Sequence, residues 1–418
     1  MSTYSERLQA LFQLEFFGMK LGLENIRALL EYLERPERKF PSIHIAGTNG
    51  KGSVAATLAA IYQADGKRTG LYTSPHLVDF RERIRIDGTM ISEKDVAEFL
   101  ERIWTKVEEL RATFFEVTTA MAFDHFARHH VDIAIIETGL GGRLDATNVL
   151  ERPLATVITS IGFDHMAQLG PTLESIASEK GGIFKSGVPA VVNCEEPLRK
   201  VFVSAAERVS APLYFVQEWK VLNEWEDIQP SLNGEHQREN LKTVLATLSI
   251  LQDPPSLNAI RTGVSKVASL VGLHARLEEL SNEELREQKV KLLIDVAHNE
   301  PAFERLKEYF LKLEHRPIVV VGLMKDKDIA PILGCISQFA SQFIAVQAQT
   351  SRALLSTELH KRAEEMGLRS LDGGNAAEGF AKAQQLAKPG DTILITGSHY
   401  VIGEFLQNFQ QMGSVIPH

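Results

Sequence analysis

A glycine-rich segment, Gly47-Thr-Asn-Gly-Lys-Gly-Ser53, lies between a predicted strand and a predicted helix. Glycines let backbone N–H groups approach phosphate oxygens, and the N-terminus of the following helix attracts anions. Lys51 adds a mobile cation and Ser53 a hydroxyl. The strict Walker pattern is not met, because Ile45 occupies the first glycine position and Gly52 separates the lysine from the serine. The strand–turn–helix context predicts a nucleotide-phosphate loop, with a plain connecting turn as the alternative.

Polar residues also stand at the ends of three other predicted strands. Ser74 follows one strand, Glu137 ends a second, and His165 comes shortly after a third. The carboxyl ends of parallel strands meet at one edge of a sheet, where ligands bind. A hydroxyl, a carboxylate and an imidazole there would supply part of an octahedral Mg²⁺ shell, completed by water and ATP phosphate. Taken singly, the three residues have ordinary alternatives as a turn cap, a salt-bridge partner and a hydrogen-bonded loop residue.

The elements that must position these residues follow an alternating pattern. From about residue 41 onward, short β-branched runs alternate with helical patterns. The near-continuous apolar runs at 131–137 and 154–160 suit strands that are buried on both faces. Such alternation predicts βαβ crossovers. The predicted fold class is α/β, with an N-terminal P-loop-type, mostly parallel sheet domain with helices on both faces and a smaller C-terminal Rossmann-like domain.

Length and pattern predict the domain boundaries. At about 150 residues per domain, the 418 residues suggest two or three domains. We predict an N-terminal ATPase domain over residues 1–272, a charged and irregular linker over 273–288, and a C-terminal domain over 289–418. Residues 217–234 are weakly periodic and are predicted to be irregular.

Composition restricts the class of protein. Hydrophobic residues make up 44% and charged residues 24%, as in globular proteins. The net charge of −9 argues against a nucleic-acid or anionic-membrane binder but leaves room for a local anion pocket. Two cysteines cannot form a disulfide framework, no apolar run is long enough to span a bilayer, and the N-terminus lacks the order of a signal peptide. We therefore expect a cytoplasmic protein with no nucleic-acid or membrane partner.

Six segments together resemble the folylpolyglutamate synthase/dihydrofolate synthase family of the Mur ligase superfamily. In chain order they span residues 47–53, 73–77, 137–148, 164–165, 178–183 and 295–299. The resemblance implies an ATP- and Mg²⁺-dependent carboxylate–amine ligase of folate and one-carbon metabolism. ATP would phosphorylate the free carboxylate of dihydropteroate or a folate, and the amine of L-glutamate would attack the acyl phosphate. The resemblance also implies a monomer whose partners are these small molecules.

The resemblance further implies roles for individual residues. The ATP phosphates would be held by Thr48, Asn49, Gly50, Lys51, Gly52 and Ser53. Two Mg²⁺ ions would be bound by Ser74, Glu137, His165 and Lys180, the last as a carbamylated lysine. The pteroate would be contacted by Thr113, Phe114, Phe115, Glu116, Leu144, Asp145 and Ala146, and residues 19–22 would close the pocket. Asn240, Arg276 and Asp295 would bind the nucleotide, and Ser398 would bind glutamate. His298, Lys51 and Lys180 would take part in catalysis.

Ordinary structural roles stay open for several of these residues. Lys180 has the alternative role of an unmodified lysine that pairs with Glu179 or with phosphate. Asp295 could instead cap the helix near Pro301, and Ser398 could cap the last helix. One of the two phenylalanines at 114–115 is expected in the core.

Two other functions are also open. A Mur-type ligase acting on a nucleotide-linked muramoyl substrate shares the phosphate loop, but the short segment before Pro41 argues against an additional nucleotide-sugar domain. A non-catalytic module, in which ATP drives domain closure onto a partner, would not need Lys51, Glu137, His165 and Lys180 together. Within the resembled family, the residues do not decide between making dihydrofolate, lengthening a polyglutamate tail, or both.

Overall fold

The structure is a computed structural model that describes residues 3–14 and 22–411. Most of the predicted pocket segment at 19–22 therefore lies outside the described residues. The chain divides into two compact units. The first comprises Met1–His76, Phe80–Ser231 and Glu239–Val271, and the second comprises Leu77–Asp79, Leu232–Arg238 and Gly272–His418. The second unit thus includes two short segments that the sequence-based division assigned to residues 1–272.

The first unit is built on an eight-stranded sheet. Its strands are β1 (Ser42–Ala46), β2 (Thr69–Tyr72), β3 (Ile84–Ile86), β4 (Thr89–Met90), β5 (Ile133–Glu137), β6 (Ala155–Ile158), β7 (Ala190–Val192) and β8 (Leu213–Phe215). Their order is β4-β3-β2-β5-β1-β6-β7-β8. The neighbouring strands β2, β5, β1, β6, β7 and β8 pair in parallel, whereas β3 pairs antiparallel with both β2 and β4. The carboxyl ends of β2, β5, β1 and β6 therefore share one edge of the sheet.

Helices cover both faces of this sheet. They are α1 (Tyr4–Gln13), α2 (Glu24–Tyr32), α3 (Lys51–Ala64), α4 (Glu93–Leu110), α5 (Phe114–Arg128), α6 (Met166–Leu169), α7 (Leu173–Gly181), α8 (Arg199–Val209), α9 (Glu235–Ser249), α10 (Leu257–Ser265) and α11 (Val267–Val271). The residues of α3 from Ser53 to Tyr62 are all buried. A Cβ atom at Gly263 of α10 would overlap with the Ile61 Cα atom, so glycine allows α10 to cross α3 closely. The main apolar core packs the sheet against α2, α4 and α5.

The second unit contains a six-stranded sheet in the order β13-β12-β11-β14-β10-β9. Its strands are β9 (Arg276–Leu280), β10 (Lys291–Asp295), β11 (Ile318–Val321), β12 (Gln342–Val346), β13 (Ser370–Gly374) and β14 (Thr392–Thr396). Its helices are α12 (Glu283–Gln288), α13 (Glu300–Phe310), α14 (Ile329–Phe339), α15 (Ser356–Glu365), α16 (Ala376–Leu386) and α17 (His399–Gln411). All strand pairs are parallel except β9 with β10. The predicted α/β class is confirmed.

The prediction of an irregular segment over 273–288 is wrong. Arg276–Leu280 forms edge strand β9, antiparallel to β10, and α12 follows it. Leu277 and Leu280 are buried, whereas Glu278 and Glu279 are not. Charged side chains are typical of edge strands, and here they conceal the strand pattern. Helices α14 and α16 and strand β13 were also not predicted from the sequence. Strand β13 has the sequence Ser-Leu-Asp-Gly-Gly, and aspartate and glycine are depleted in strands.

Residues 217–234 lack helices and strands apart from a short 3₁₀ turn at Asn223–Trp225, as expected. Within residues 3–14 and 22–411, every helix is too short or too polar to cross a membrane.

Candidate active site

The glycine-rich segment forms a tight loop between β1 and α3. Gly47 has a φ angle of +156° and Gly50 a φ angle of +85°. A Cβ atom at Gly47 would overlap with the Thr159 hydroxyl oxygen, and one at Gly50 would overlap with the Asn240 Oδ1 atom. Glycine is therefore required at both positions. The contact also places Asn240, a predicted nucleotide residue, directly against the loop.

Hydrogen bonds tie this loop to the residues that follow β6. The Thr48 N–H donates to the Ser160 carbonyl at 2.8 Å, and the Thr48 hydroxyl lies 3.1 Å from both the N–H and the carbonyl of Gly162. The Thr159 hydroxyl donates to the Asn49 carbonyl at 2.7 Å. The N-terminus of α3, which has no side-chain cap, opens onto this loop. A helix N-terminus with uncapped N–H groups beside a fixed glycine loop suits a phosphate group.

Two lysines bind the carbonyl groups of the same loop. Lys51 Nζ donates to the Thr48 carbonyl at 3.0 Å, and Lys180 Nζ donates to the Gly47 carbonyl at 2.7 Å. Lys51 opens α3, whereas Lys180 comes from the last turn of α7. The fold therefore brings together two predicted site residues that lie far apart in sequence.

Lys180 is buried, with 4% of its surface exposed. Burial, and secondarily the neighbouring Lys51 ammonium, lower the pKa of Lys180 from 10.5 to about 7. Glu179 pairs with Arg143 at 2.9 Å, and Lys180 bonds with the loop instead. The alternative of a Lys180–Glu179 pair is therefore wrong. An amine with a pKa near 7 has a substantial neutral fraction at neutral pH, and the neutral form is the nucleophilic one.

The strand-end residues lie along the edge that carries the loop. Glu137 ends β5, pairs in register with Ile45, and is buried. Its carboxylate accepts the Ser74 N–H at 3.2 Å, so the structure brings these two predicted metal ligands together. His165 lies beyond β6, with a left-handed φ of +51°, and its N–H donates to the Asp164 carboxylate at 2.9 Å. Such a φ is rare for a residue with a side chain and is more common at functional sites.

The predicted pteroate segment opens helix α5. Thr113 and Glu116 form a capping box, in which each side chain accepts the backbone N–H of the other, at 3.3 and 2.7 Å respectively. Phe114 is buried in the core, with its ring 5.7 Å from that of Phe12 in a stacked arrangement. Phe115 is only half-buried. The expectation that one of the two phenylalanines belongs to the core is confirmed.

Phe115 lies over the loop that follows Glu137. A Cβ atom at Gly139 would overlap with the Phe115 ring, so the ring rests on the loop backbone. In the same loop, the Asp145 carboxylate accepts the N–H groups of Leu140 at 2.8 Å and Thr147 at 3.0 Å. Burial raises the pKa of the Asp145 carboxyl. Asp145 therefore shapes this loop.

The other two predicted pteroate residues flank Asp145 in the chain and differ in exposure. Leu144 is half-exposed, and Ala146 is buried.

Several residues that build this region were not predicted from the sequence. Thr159 and Gly162 hold the phosphate loop, and their role depends on the β1–β6 pairing. Arg83 lies 5.2 Å above the Phe114 ring, and its Nε donates to His76 Nδ1 at 2.8 Å. The charged run at 81–83, directly after a phenylalanine, was the available signal for this arginine.

In the second unit, two predicted nucleotide residues meet at the β9–β10 pair. Asp295 lies opposite Arg276 in the strand register. The Asp295 carboxylate accepts the N–H groups of Leu277 at 2.9 Å and Ala297 at 2.8 Å. Burial raises the pKa of Asp295, and the Arg276 charge opposes that shift. Asn299 caps α13, so the alternative of Asp295 as the helix cap is wrong.

His298 and Ser398 lie near each other in the same unit. His298 Nδ1 bonds with the Val296 carbonyl at 2.8 Å, and its ring centre is 5.7 Å from that of His399. The Ser398 hydroxyl accepts the Val401 N–H at 3.2 Å, in the first turn of α17. The structural alternative for Ser398, capping the last helix, is therefore confirmed.

The chain matches two family models and full-length relatives. Residues 45–244 match the Mur ligase middle domain, and residues 275–399 match the Mur ligase glutamate ligase domain. The chain is 35% identical, over 93% of its length and 95% of the relative's, to a dihydrofolate synthase/folylpolyglutamate synthase of Bacillus subtilis.

Solved structures cover almost the whole chain. Escherichia coli FolC in complex with DHPP and ADP aligns with a TM-score of 0.86 and 29% identity, over 99% of this chain and 100% of that one. A bifunctional folylpolyglutamate synthase/dihydrofolate synthase with Mn, AMPPNP and L-glutamate bound aligns with a TM-score of 0.85 and 30% identity, over 98% of each chain. With both domain models and a 35% identical full-length relative in agreement, the chain belongs to the dihydrofolate synthase/folylpolyglutamate synthase family of Mur ligases.

Proposed function

We propose that the protein is a bifunctional dihydrofolate synthase/folylpolyglutamate synthase. It uses ATP to join L-glutamate to dihydropteroate and to the glutamyl tail of tetrahydrofolate. The observation that carries this proposal is the phosphate loop, whose carbonyl groups bind both Lys51 and Lys180 beside the edge that carries the buried Glu137. The relatives named above, one of them with L-glutamate bound, support the choice of substrates.

The proposed reaction has two steps. An oxygen of the acceptor carboxylate attacks the γ-phosphorus of ATP, ADP leaves, and an acyl phosphate forms. The glutamate amine then attacks the acyl carbon, an amide bond forms, and phosphate leaves with the bonding electrons while the nitrogen loses a proton. Both nucleophiles are substrates, so the protein needs to orient reactants and offset charge rather than supply a nucleophile of its own.

The phosphate loop is proposed to bind ATP. The N–H groups of residues 50–53 at the α3 N-terminus would bind the β- and γ-phosphates, while Thr48 and Asn49 hold the loop against the residues that follow β6. Lys51 would release the Thr48 carbonyl to contact the phosphates. Asn240, which packs against Gly50, contacts the nucleotide. The structure fits this assignment, because the close contacts of the loop with Thr159 and Asn240 leave no room for a side chain at Gly47 or Gly50.

Glu137, Ser74 and His165 are proposed to hold Mg²⁺, with Lys180 at a second ion. The donor set is suited to a hard cation, since the buried Glu137 carboxylate ends the strand beside β1 and bonds with the backbone of Ser74, whose side chain is a hydroxyl. Bound there, Mg²⁺ would offset charge on the transferring phosphoryl group. An ammonium at Lys180 would repel such an ion. The low pKa of Lys180 supports carbamylation, in which the neutral amine attacks CO₂, an N–C bond forms and one proton leaves.

The remaining assignments divide between the two units. We propose that the acceptor lies against Phe115 and the 139–146 loop, with Thr113, Phe114, Glu116, Leu144, Asp145 and Ala146 shaping that surface. Residues 289–418 are proposed to serve the nucleotide and glutamate through Asp295, His298 and Ser398, and Arg276 of β9 joins them. A monomeric state stays a prediction.

Release of ADP tests this function directly. Purified protein is incubated with ATP and Mg²⁺, and ADP is followed with neither, either or both of L-glutamate and dihydropteroate. We expect sustained ADP release only when both are present. Sustained ADP release that does not depend on dihydropteroate would contradict the proposed function.

A further inference from the structure

A second group of metal-ligating side chains lies between α4 and α5. Asp95 is in the first turn of α4, His125 is in the last turn of α5, and His129 caps α5 at its C-terminus. One donor atom of each residue, a carboxylate oxygen or a ring nitrogen, lies within 4.8 Å of the other two. Among the residues that the structure describes, this is the one such group of three histidine, cysteine, aspartate or glutamate side chains.

Helix geometry places the two histidines where both can bind the same metal ion. Residues four apart lie on the same helix face, and the ring centres of His125 and His129 are 4.2 Å apart. Zn–N and Zn–O bonds are about 2.0–2.2 Å long, so small side-chain rotations close this group on one ion. The packing of α4 beside α5 brings the carboxylate to the pair across a sequence separation that hides the group from sequence analysis.

Hydrogen bonds already orient two of the three side chains. His129 Nδ1 lies 2.9 Å from the His125 carbonyl, to which it donates, so the lone pair is on Nε2. Histidines that bind metals commonly donate their other ring N–H to a carbonyl or carboxylate in this way. Asp95 Oδ2 accepts the Ser92 hydroxyl at 2.7 Å, which leaves the second carboxylate oxygen for a ligand.

The charge state also suits a divalent ion. Burial lowers the pKa of His125 from 6.5 to about 4, with His129 acting in the same direction and Asp95 in the opposite one. His125 is therefore neutral at physiological pH, as ligation requires. Arg68 and Arg128 are the nearby cations that also act on His125, and Arg128 pairs with Asp124 at 3.8 Å.

We propose that Asp95, His125 and His129 form a binding site for one Zn²⁺ ion. Two imidazoles and a carboxylate, with a fourth position left for water, are a common zinc set. The site stands apart from the proposed chemistry, because α5 leads into the amino end of β5 whereas Glu137 is at the carboxyl end. A bound ion would connect the last turn of α5 to the first turn of α4. Its expected effect is therefore to stabilise the fold, with no part in the amide-forming reaction.

The test uses Co²⁺ and Zn²⁺ as probes on the full chain. Chelator-treated protein is given excess Mg²⁺ and ADP, titrated with Co²⁺ while visible absorption is followed, and then titrated with Zn²⁺ as competitor. We expect one equivalent of Co²⁺ with a nitrogen-ligand spectrum that Zn²⁺ displaces, and a rise in melting temperature with Zn²⁺. Absence of this stoichiometric signal in the wild type would overturn the proposal.

Variants locate the signal. His129→Gln and Asp95→Asn change half-exposed residues. Each should lower the Co²⁺ and Zn²⁺ affinity by more than the about 10–100-fold that follows loss of a supporting hydrogen-bond partner. His130→Asn is the matched control, because His130 is adjacent, exposed and at a positive φ that asparagine tolerates; it should bind like the wild type. Unchanged zinc-free ligase activity in His129→Gln, Asp95→Asn and His130→Asn shows that these three variants fold. Retention of the signal in His129→Gln and Asp95→Asn, with its loss in Glu137→Gln, would refute the site.

Discussion

Lys51 and Lys180 each donate to a carbonyl of one short loop, at 3.0 and 2.7 Å, and Lys51 supplies positive charge where phosphate is expected. Lys51→Ala should lower ATP-dependent ligation by at least about 10²-fold, as loss of one charge-stabilising donor does elsewhere. Stability should change little, because the substitution removes a partly exposed side chain. Steady-state kinetics and thermal melting measure the two effects. Lys67→Ala, at an exposed lysine, is the control, and wild-type turnover in Lys51→Ala would remove the loop from the mechanism.

The buried Glu137 carboxylate tests the metal assignment. Glu137→Gln keeps the size of the side chain and removes its charge, so the Mg²⁺ concentration for half-maximal activity should rise by at least about tenfold. Acceptor affinity should change much less. A Mg²⁺ titration of activity and an acceptor titration measure both quantities. Glu109→Gln, at an exposed glutamate, should match the wild type, and an unaltered Mg²⁺ titration in Glu137→Gln would show that the assignment is wrong.

The lowered pKa of Lys180 predicts how stability varies with pH. In protein kept free of CO₂ and bicarbonate, where Lys180 is unmodified, the unfolded chain keeps the proton on this amine between pH 7 and 10.5 while the folded chain has lost it. The unfolded state then binds more protons, so this group makes the free energy of unfolding rise with pH, by up to about 1.4 kcal/mol per pH unit. Lys180→Met should lack this contribution. Denaturant unfolding of both proteins across this range measures the difference, and parallel pH profiles would contradict it.

At the scale of single elements, the β1–loop–α3 unit could be predicted well from sequence. An apolar run, glycines and a following helical pattern are local signals. Its hydrogen bonds to Thr159 and Gly162 could not be predicted, because they depend on β1 and β6 being neighbours in the sheet. The same limit applies to Phe115 over Gly139. Strand β9 was missed for a different reason, since glutamates at a sheet edge resemble a solvated linker.

Helix α5 provides a prediction at this scale. Thr113 and Glu116 form its capping box, so Thr113→Ala should lower the free energy of unfolding by about 0.5–2 kcal/mol. Thr113→Ser keeps the hydroxyl and should unfold like the wild type. Chemical denaturation of the three proteins measures this. A Thr113→Ala protein as stable as the wild type, with acceptor affinity alone reduced, would show that the threonine serves the ligand rather than the helix.

At the scale of the whole molecule, family and fold class could be predicted from sequence, because several motifs in order are far more specific than one loop. The roles in the second unit are harder to predict. Asp295 and Ser398 both bond with backbone N–H groups, so their side chains serve local structure whatever else they contact. Sequence alone could not distinguish these roles, since a strand-end aspartate and a helix-start serine suit both.

The proposed function requires one enzyme to glutamylate two acceptors. Purified protein is incubated with ATP, Mg²⁺ and radiolabelled L-glutamate, once with 7,8-dihydropteroate and once with tetrahydrofolate, and labelled products are separated and counted. We expect label in both products, because both acceptors share the pteroyl part that we propose to lie against Phe115 and the 139–146 loop. Product with tetrahydrofolate alone would reduce the enzyme to a folylpolyglutamate synthase. Product with neither acceptor, alongside ATP hydrolysis, would contradict the proposed function and favour a Mur-type amino-acid ligase.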